Sequence, residues 1–118
     1  MITLQSLALT GLVADRVLIE VDVQAGIPSC TIVGLGDAAV QESRERIRSA
    51  IKNSEYTFPT KRITINLAPA HVRKVGSQYD LGIALGILLC DTPQYYAKAS
   101  EYICIGELAL NGEVRSVR

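Results

Sequence analysis

A chain of 118 residues with 48% hydrophobic content is long enough for one compact domain with a single core and too short for two. Its formal charge of zero excludes a histone-like polycation and an acidic tail. The charge is uneven, however: Arg44, Arg46, Arg48, Lys52, Lys61, Arg62, Arg73 and Lys74 fall in one stretch with only Glu45 and Glu55 against them, and the flanks are acidic. This stretch reads either as one basic face or as ordinary charges on a solvated helix and at strand ends.

Residues 2–10 are strand-like, with an apolar phase that shifts from Ile2 and Leu4 to Leu7 and Leu9, as a bulge between them would produce. Residues 16–24 alternate, with Val17, Ile19, Val21 and Val23 opposite Glu20, Asp22 and Gln24, which is the period of a half-buried strand. The two runs predict an antiparallel pair with a turn near Val13-Ala14-Asp15. A third strand, Ser29 to Val33, ends at Gly34-Leu35-Gly36. Asp37 then caps a helix running to about Ser54, with an apolar stripe of Val40, Ile47 and Ile51 beside Ala39 and Ala50. Arg62 to Leu67 alternates as a strand closed by Pro69.

The chain is irregular through Gly76. Asp80 to Cys90 is almost wholly apolar, and Gly82 and Gly86, four apart, give a helix one small face for close packing. A strand is the alternative, because each glycine costs a helix about 1 kcal/mol. Asn111-Gly112 between Tyr102–Leu110 and Glu113–Val117 predicts a hairpin.

Few residues offer chemistry. Cys30, Cys90 and Cys104 are odd in number, lack CxxC spacing and sit among apolar neighbours, so they read as buried small hydrophobes instead of a disulfide framework or zinc site. Gly34-Leu35-Gly36-Asp37-Ala38-Ala39 fits a G-x-G-x-x-A fingerprint, but Asp37 would repel a pyrophosphate at the helix N-terminus and no acid closes the following strand. A tight strand-to-helix turn is the better reading. No P-loop occurs, and His71 is a lone histidine without partners. Ser77, in a glycine-bearing loop before the apolar segment, is placed as a nucleophile could be, although such serines more commonly make turns. The N-terminus has no signal-peptide pattern and no stretch reaches membrane-span length, so the expectation is a cytoplasmic domain without a membrane partner.

Pro28 to Leu35, Ala39 to Ser54, Arg62-Ile63-Thr64-Ile65-Asn66-Leu67-Ala68-Pro69-Ala70, Lys74 to Leu88 and Gly106 to Arg115 together resemble the N-terminal part of the magnesium-chelatase-like ComM/YifB AAA+ family, in the family's order. The sequence departs at Gly36, where the family more usually has proline, and at Glu55, where an Asn-Ser-Gly turn would be usual. The resemblance implies an α+β fold like the Lon protease domain (the ribosomal protein S five domain two-like fold), a β-sheet with helices mainly on one face. It implies one non-catalytic domain over residues 1–118 of a longer protein, with ATP and Mg bound by an AAA+ module beyond this segment and no cofactor or metal here.

Family members of the ComM kind are hexameric helicases of DNA branch migration in natural transformation. The domain's expected partners are therefore DNA, its own AAA+ module and neighbouring subunits of a homo-hexamer. For DNA, the phosphate contacts expected are Arg44, Arg48, Lys52, Arg62, Arg73 and Lys74. The alternatives are a module that only positions the ATPase and a Ser-dependent peptidase related to Lon. The latter lacks a serine in register at the helix head, where Gln78 and Tyr79 stand, and the chain stops before a catalytic lysine would appear.

Overall fold

Alternation in the first 24 residues becomes a hairpin in the structure, a computed structural model that describes residues 1–117. Strands β1 (Ile2–Thr10) and β2 (Val13–Gln24) pair antiparallel from Ile2 with Val21 to Thr10 with Val13. The register runs without a bulge. Ser6 and Ala8 keep the phase of Ile2 and Leu4 and are buried, while Leu9 is exposed. The phase shift that Leu7 and Leu9 imply is therefore not real: two small residues take the core positions where a helix packs close. The turn is also two residues earlier than expected, at Gly11-Leu12, where Gly11 supplies a φ of +61°.

β3 (Ser29–Val33) runs parallel to β4 (Arg62–Ala68), and β4 pairs antiparallel with β2, giving the order β1-β2-β4-β3. A parallel pair needs a crossover, which helix α1 (Asp37–Asn53) supplies. One sheet face, built from Leu4, Val17, Ile19, Val21, Ile32, Ile63, Ile65 and Leu67, is buried. The other carries Thr3, Glu20, Asp22, Thr31, Thr64 and Asn66, with Asn66 donating to Glu20 at 2.7 Å. One-sided burial of this kind defines an α+β layer.

Asp80–Asp91 is a helix, α2, packed on β1 and β2. The glycines explain why the helical reading holds despite their cost. A Cβ at Gly86 would come within 2.5 Å of Val21 Cγ2, and one at Gly82 would collide with Ile19 Cδ1. Missing side chains let the helix backbone settle directly on β2.

Three sequence expectations shift at the edges. Gly36, not Asp37, is the N-cap of α1; Asp37 makes no side-chain cap bond and acts only as an acid in the first turn. The C-terminal hairpin is short, with β5 (Glu107–Leu108) against β6 (Val114–Arg115), and Asn111-Gly112 lies inside a longer loop where Gly112 (φ +95°) packs on Ser54 and Ala50. Residues 102–104 instead lie along β1, with Cys104 N–H donating to Gln5 O at 2.8 Å. The short helix α3 (Tyr96–Ala99), preceded by a 3₁₀ turn, was not foreseen; it anchors through the Tyr96 hydroxyl, which bonds the N–H and C=O of Thr3.

The two main helices are joined by a buried carboxylate. Asp80 has no solvent exposure and accepts from Arg46 Nε at 2.6 Å, Ser43 Oγ at 2.9 Å and Leu108 N–H at 3.2 Å. Hydrogen bonding to Asp80 pushes the Arg46 guanidinium above its ordinary pKa, against the opposing effect of burial. Downstream, α1 closes on a double C-terminal clamp, with Glu55 N–H donating to Lys52 O and Tyr56 N–H to Ile51 O, both at 3.1 Å. That motif requires a left-handed residue, and Glu55 takes it at φ +67°.

Three stability outcomes follow, each read from a urea unfolding midpoint. Asp80→Ala costs about 3–5 kcal/mol, because it strands a partly buried guanidinium and two further donors. Gly86→Ala destabilises by about 1–3 kcal/mol through overpacking, and pairing it with Val21→Ala restores part of that loss, so the double variant is less destabilised than the two singles summed. Glu55→Gly raises stability by about 0.5–1 kcal/mol, since only glycine occupies the left-handed region without strain.

Candidate nucleic-acid interface

Spacing of four along α1 places Arg44, Arg48 and Lys52 in one row. Arg44 is half-buried, and its Nη1 donates to Cys30 O at 2.9 Å, tying the helix to the edge strand β3. Between them, burial pushes the Cys30 thiol up more than the positive charges of Arg44 and Arg48 pull it down. Arg48 and Lys52 are exposed. The Arg48 guanidinium carbon stands 5.3 Å from the centre of the Phe58 ring, within cation–π range.

Arg48 and Lys52 form one wall of an open cleft of about 370 Å³. Pro28 and Ser29 form a second wall, and the segment Phe58–Lys61 forms the third. Arg48, Lys52 and Lys61 contribute three cations to the lining, and none of the lining residues is acidic. Ser29 N–H donates to Lys61 O at 3.3 Å, and Ser29 pairs with Arg62, so the parallel register of β3 on β4 carries Lys61 and Arg62 to the same end of the sheet as the α1 row. Spacing gave no reason to single out Lys61. It stands one residue outside the alternating run, and only strand pairing shows what it faces.

Arg73 and Lys74 lie past the other end of β4. The seven residues of β4, at roughly 3.3 Å each, span about 20 Å between that end and Arg62. Arg73 is exposed there. Lys74, expected among the phosphate contacts, is only 5% exposed: its Nζ donates to Pro69 O, its stem covers Gly34, and burial lowers its pKa. It has no exposed charge to offer a phosphate. The structure thus brings Arg48, Lys52 and Lys61 together with Arg44 beside them, turns Arg62 toward Gly26 in phase with Thr64 and Asn66 on the helix-free face, and leaves Arg73 apart.

The remaining sequence candidates have structural settings. At Gly34 (φ +108°) a Cβ would lie 2.8 Å from Leu67 O and 3.0 Å from Leu67 Cβ, so the first glycine of the Gly34-Leu35-Gly36 turn serves close packing between β3 and β4. Ser77 is half-buried in the turn before α2, its carbonyl accepting Asp80 N–H at 3.2 Å, and among the described residues its hydroxyl has no base within hydrogen-bond reach. His71 is exposed. Among the described residues, no three His, Cys, Asp or Glu side chains converge as a metal site, the three cysteines are unpaired, and no helix is long and apolar enough to cross a membrane.

Comparison with known proteins places the chain. Residues 19–118 match the family model described as subunit ChlI of Mg-chelatase. The uncharacterized protein YifB of Escherichia coli (strain K12) is 46% identical over 110 residues, covering 93% of this chain and 22% of that protein. The competence protein ComM of Haemophilus influenzae is 42% identical over 112 residues, covering 95% of this chain and 22% of its own length. An uncharacterized protein of Mycobacterium tuberculosis (strain ATCC 25618 / H37Rv) is 41% identical over 113 residues, again with 22% of its length covered. The chain therefore spans about a fifth of the length of these curated relatives. With a family model matched across most of its length and relatives above 40% identity over nearly all of it, the chain belongs to the magnesium-chelatase ChlI-like family, alongside YifB and ComM.

Proposed function

We propose that this domain is a non-catalytic, nucleic-acid-contacting part of a ComM-like AAA+ protein of the cytoplasm, in which ATP and Mg are handled by a separate module and the whole assembles as a homo-hexamer for DNA branch migration. The observation that carries the DNA contact is the convergence of Arg48, Lys52 and Lys61 on one acid-free cleft. Lysine and arginine side chains so placed neutralise phosphates without reading sequence, which suits an activity that must act on any DNA. A relative named as a competence protein is consistent with that role.

Ring assembly is the second reading. It is supported by an apolar groove between the C-terminal end of α1, the outer side of α2 and β6, where Leu81, Leu85 and Leu88 are half-buried and Tyr56 and Val114 exposed. Nothing in that groove needs the basic cleft, so the two readings separate experimentally.

Phosphate contact requires affinity to fall with salt, with a log–log slope of about −0.7 to −0.9 for each phosphate neutralised. Fluorescence anisotropy of the chain with labelled DNA is expected to show a slope near −2 to −3 for a three-cation cleft, and Lys61→Ala to reduce its magnitude by about 1. Arg48→Glu with Lys61→Glu is expected to weaken low-salt binding by more than about ten-fold, since each loses a phosphate contact and adds repulsion. Lys74→Met is expected to leave affinity unchanged while lowering the thermal midpoint. Absence of binding at low salt would leave the assembly reading in its place.

A further inference from the structure

The cationic cleft holds a feature that phosphate neutralisation does not need. Phe58, the sole phenylalanine of the chain, lines it, in a segment where the following residue is Pro59. The ring is half-buried: one side packs on the edge of the hydrophobic core, and it also lines the solvent-open cleft. The Arg48 guanidinium lies over the ring, its carbon 5.3 Å from the ring centre, so a planar cation and an aromatic ring form one stacked pair at the cleft wall. Lys52 reaches the rim from the next turn of α1, and Lys61 from the start of β4. At about 370 Å³ the cleft lies in the range, roughly 300–1,000 Å³, in which small-molecule sites are found.

Aromatic rings and guanidinium planes bind the faces of nucleobases, and cations bind the phosphates on either side of them. In a duplex those base faces are already stacked on one another. A duplex therefore meets only the rim cations, whereas an unpaired nucleotide can lay its base on the Arg48–Phe58 pair.

From this we infer that the cleft is a single-strand site: one unpaired base packs against Phe58 and Arg48 while Lys52 and Lys61 hold the adjoining phosphates. The inference rests on the phosphate-contact reading and specifies its substrate as unpaired rather than duplex nucleic acid. It also gives Phe58 a role that charge counting along the chain does not reveal.

The test compares three labelled probes on the unaltered chain at low salt: an oligothymidylate, an abasic oligonucleotide of equal length and charge, and a duplex. The oligothymidylate is expected to bind at least about five-fold more tightly than the abasic strand, because base–aromatic stacking is worth that much or more for one base. Phe58→Leu, which keeps the apolar wall but removes the ring, is expected to erase that difference without altering the salt slope, and Phe58→Trp to preserve it. Equal affinity for abasic and base-bearing strands would overturn the single-strand inference and leave the phosphate contacts standing. Binding of the duplex at least as tightly as the oligothymidylate would also overturn it. Failure of all three probes to bind would remove the phosphate-contact reading, and the inference with it.

Discussion

A carboxylate sealed from solvent at the head of α2 fixes how the two main helices meet. Asp80 accepts from Ser43 and Arg46 on α1 and from the backbone of Leu108 in β5, so one side chain registers three elements that are distant in sequence. A buried ion pair of this kind contributes little net stability compared with a well-packed apolar substitute, but it is directional and unforgiving when broken. The rotation of α1 about its own axis is set by two anchors on different sides: Ser43 and Arg46 toward Asp80, and Arg44 toward the Cys30 carbonyl. Arg48 and Lys52 continue the Arg44 row, which leaves them on the side that faces β3 and the Phe58 segment.

Packing below this network follows from what is missing. Gly82 and Gly86 let α2 approach Ile19 and Val21 more closely than any side chain permits, and Ser6 and Ala8 keep the core face of β1 shallow. Ser6 is buried with its hydroxyl unpartnered among the described residues, a polar cost accepted where a larger apolar residue would stand in a core position. The same economy of volume recurs at the far end of the sheet, where Gly34 lies between Leu67 and the Lys74 stem. Close backbone approach, more than large side chains, gives this domain its form: aromatic residues make up only 5% of the chain.

Several charges that look equivalent in the sequence have unlike fates in the fold. Arg46 is consumed by Asp80, Arg44 by a strand carbonyl and Lys74 by a loop carbonyl, each hydrogen-bonded where a backbone or buried acid requires a donor. Arg48, Lys52 and Lys61 are left to solvent around one cleft. The basic stretch thus divides into charges spent on structure and charges free at the surface. Glu55, where the family resemblance leads to the expectation of an Asn-Ser-Gly turn, stands here in a left-handed conformation that favours glycine.

Strand and helix existence was largely legible in the sequence because it rests on local periodicity: alternation marked β2 and β4, the Asp37–Asn53 pattern marked α1, and the apolar run of α2 read as a helix with a strand as the alternative. The family was legible too, since ordered motifs spanning the chain require no geometry. What periodicity could not supply was anything decided by partners far along the chain. It misread β1, because Leu7 and Leu9 are locally as apolar as Ile2 and Leu4 and only the facing helix distinguishes them. It missed α3, whose anchor is a tyrosine hydroxyl on Thr3, and it grouped Arg73 and Lys74 with Arg62 although the length of β4 lies between them and Arg62 and burial removes Lys74 from the surface. The cleft itself combines residues from Pro28 to Lys61 that share no sequence pattern. The sequence determined the elements and the family by short-range chemistry; the tertiary structure decided which charges remain free and where they meet, because that depends on hydrogen bonds and strand register formed across the chain.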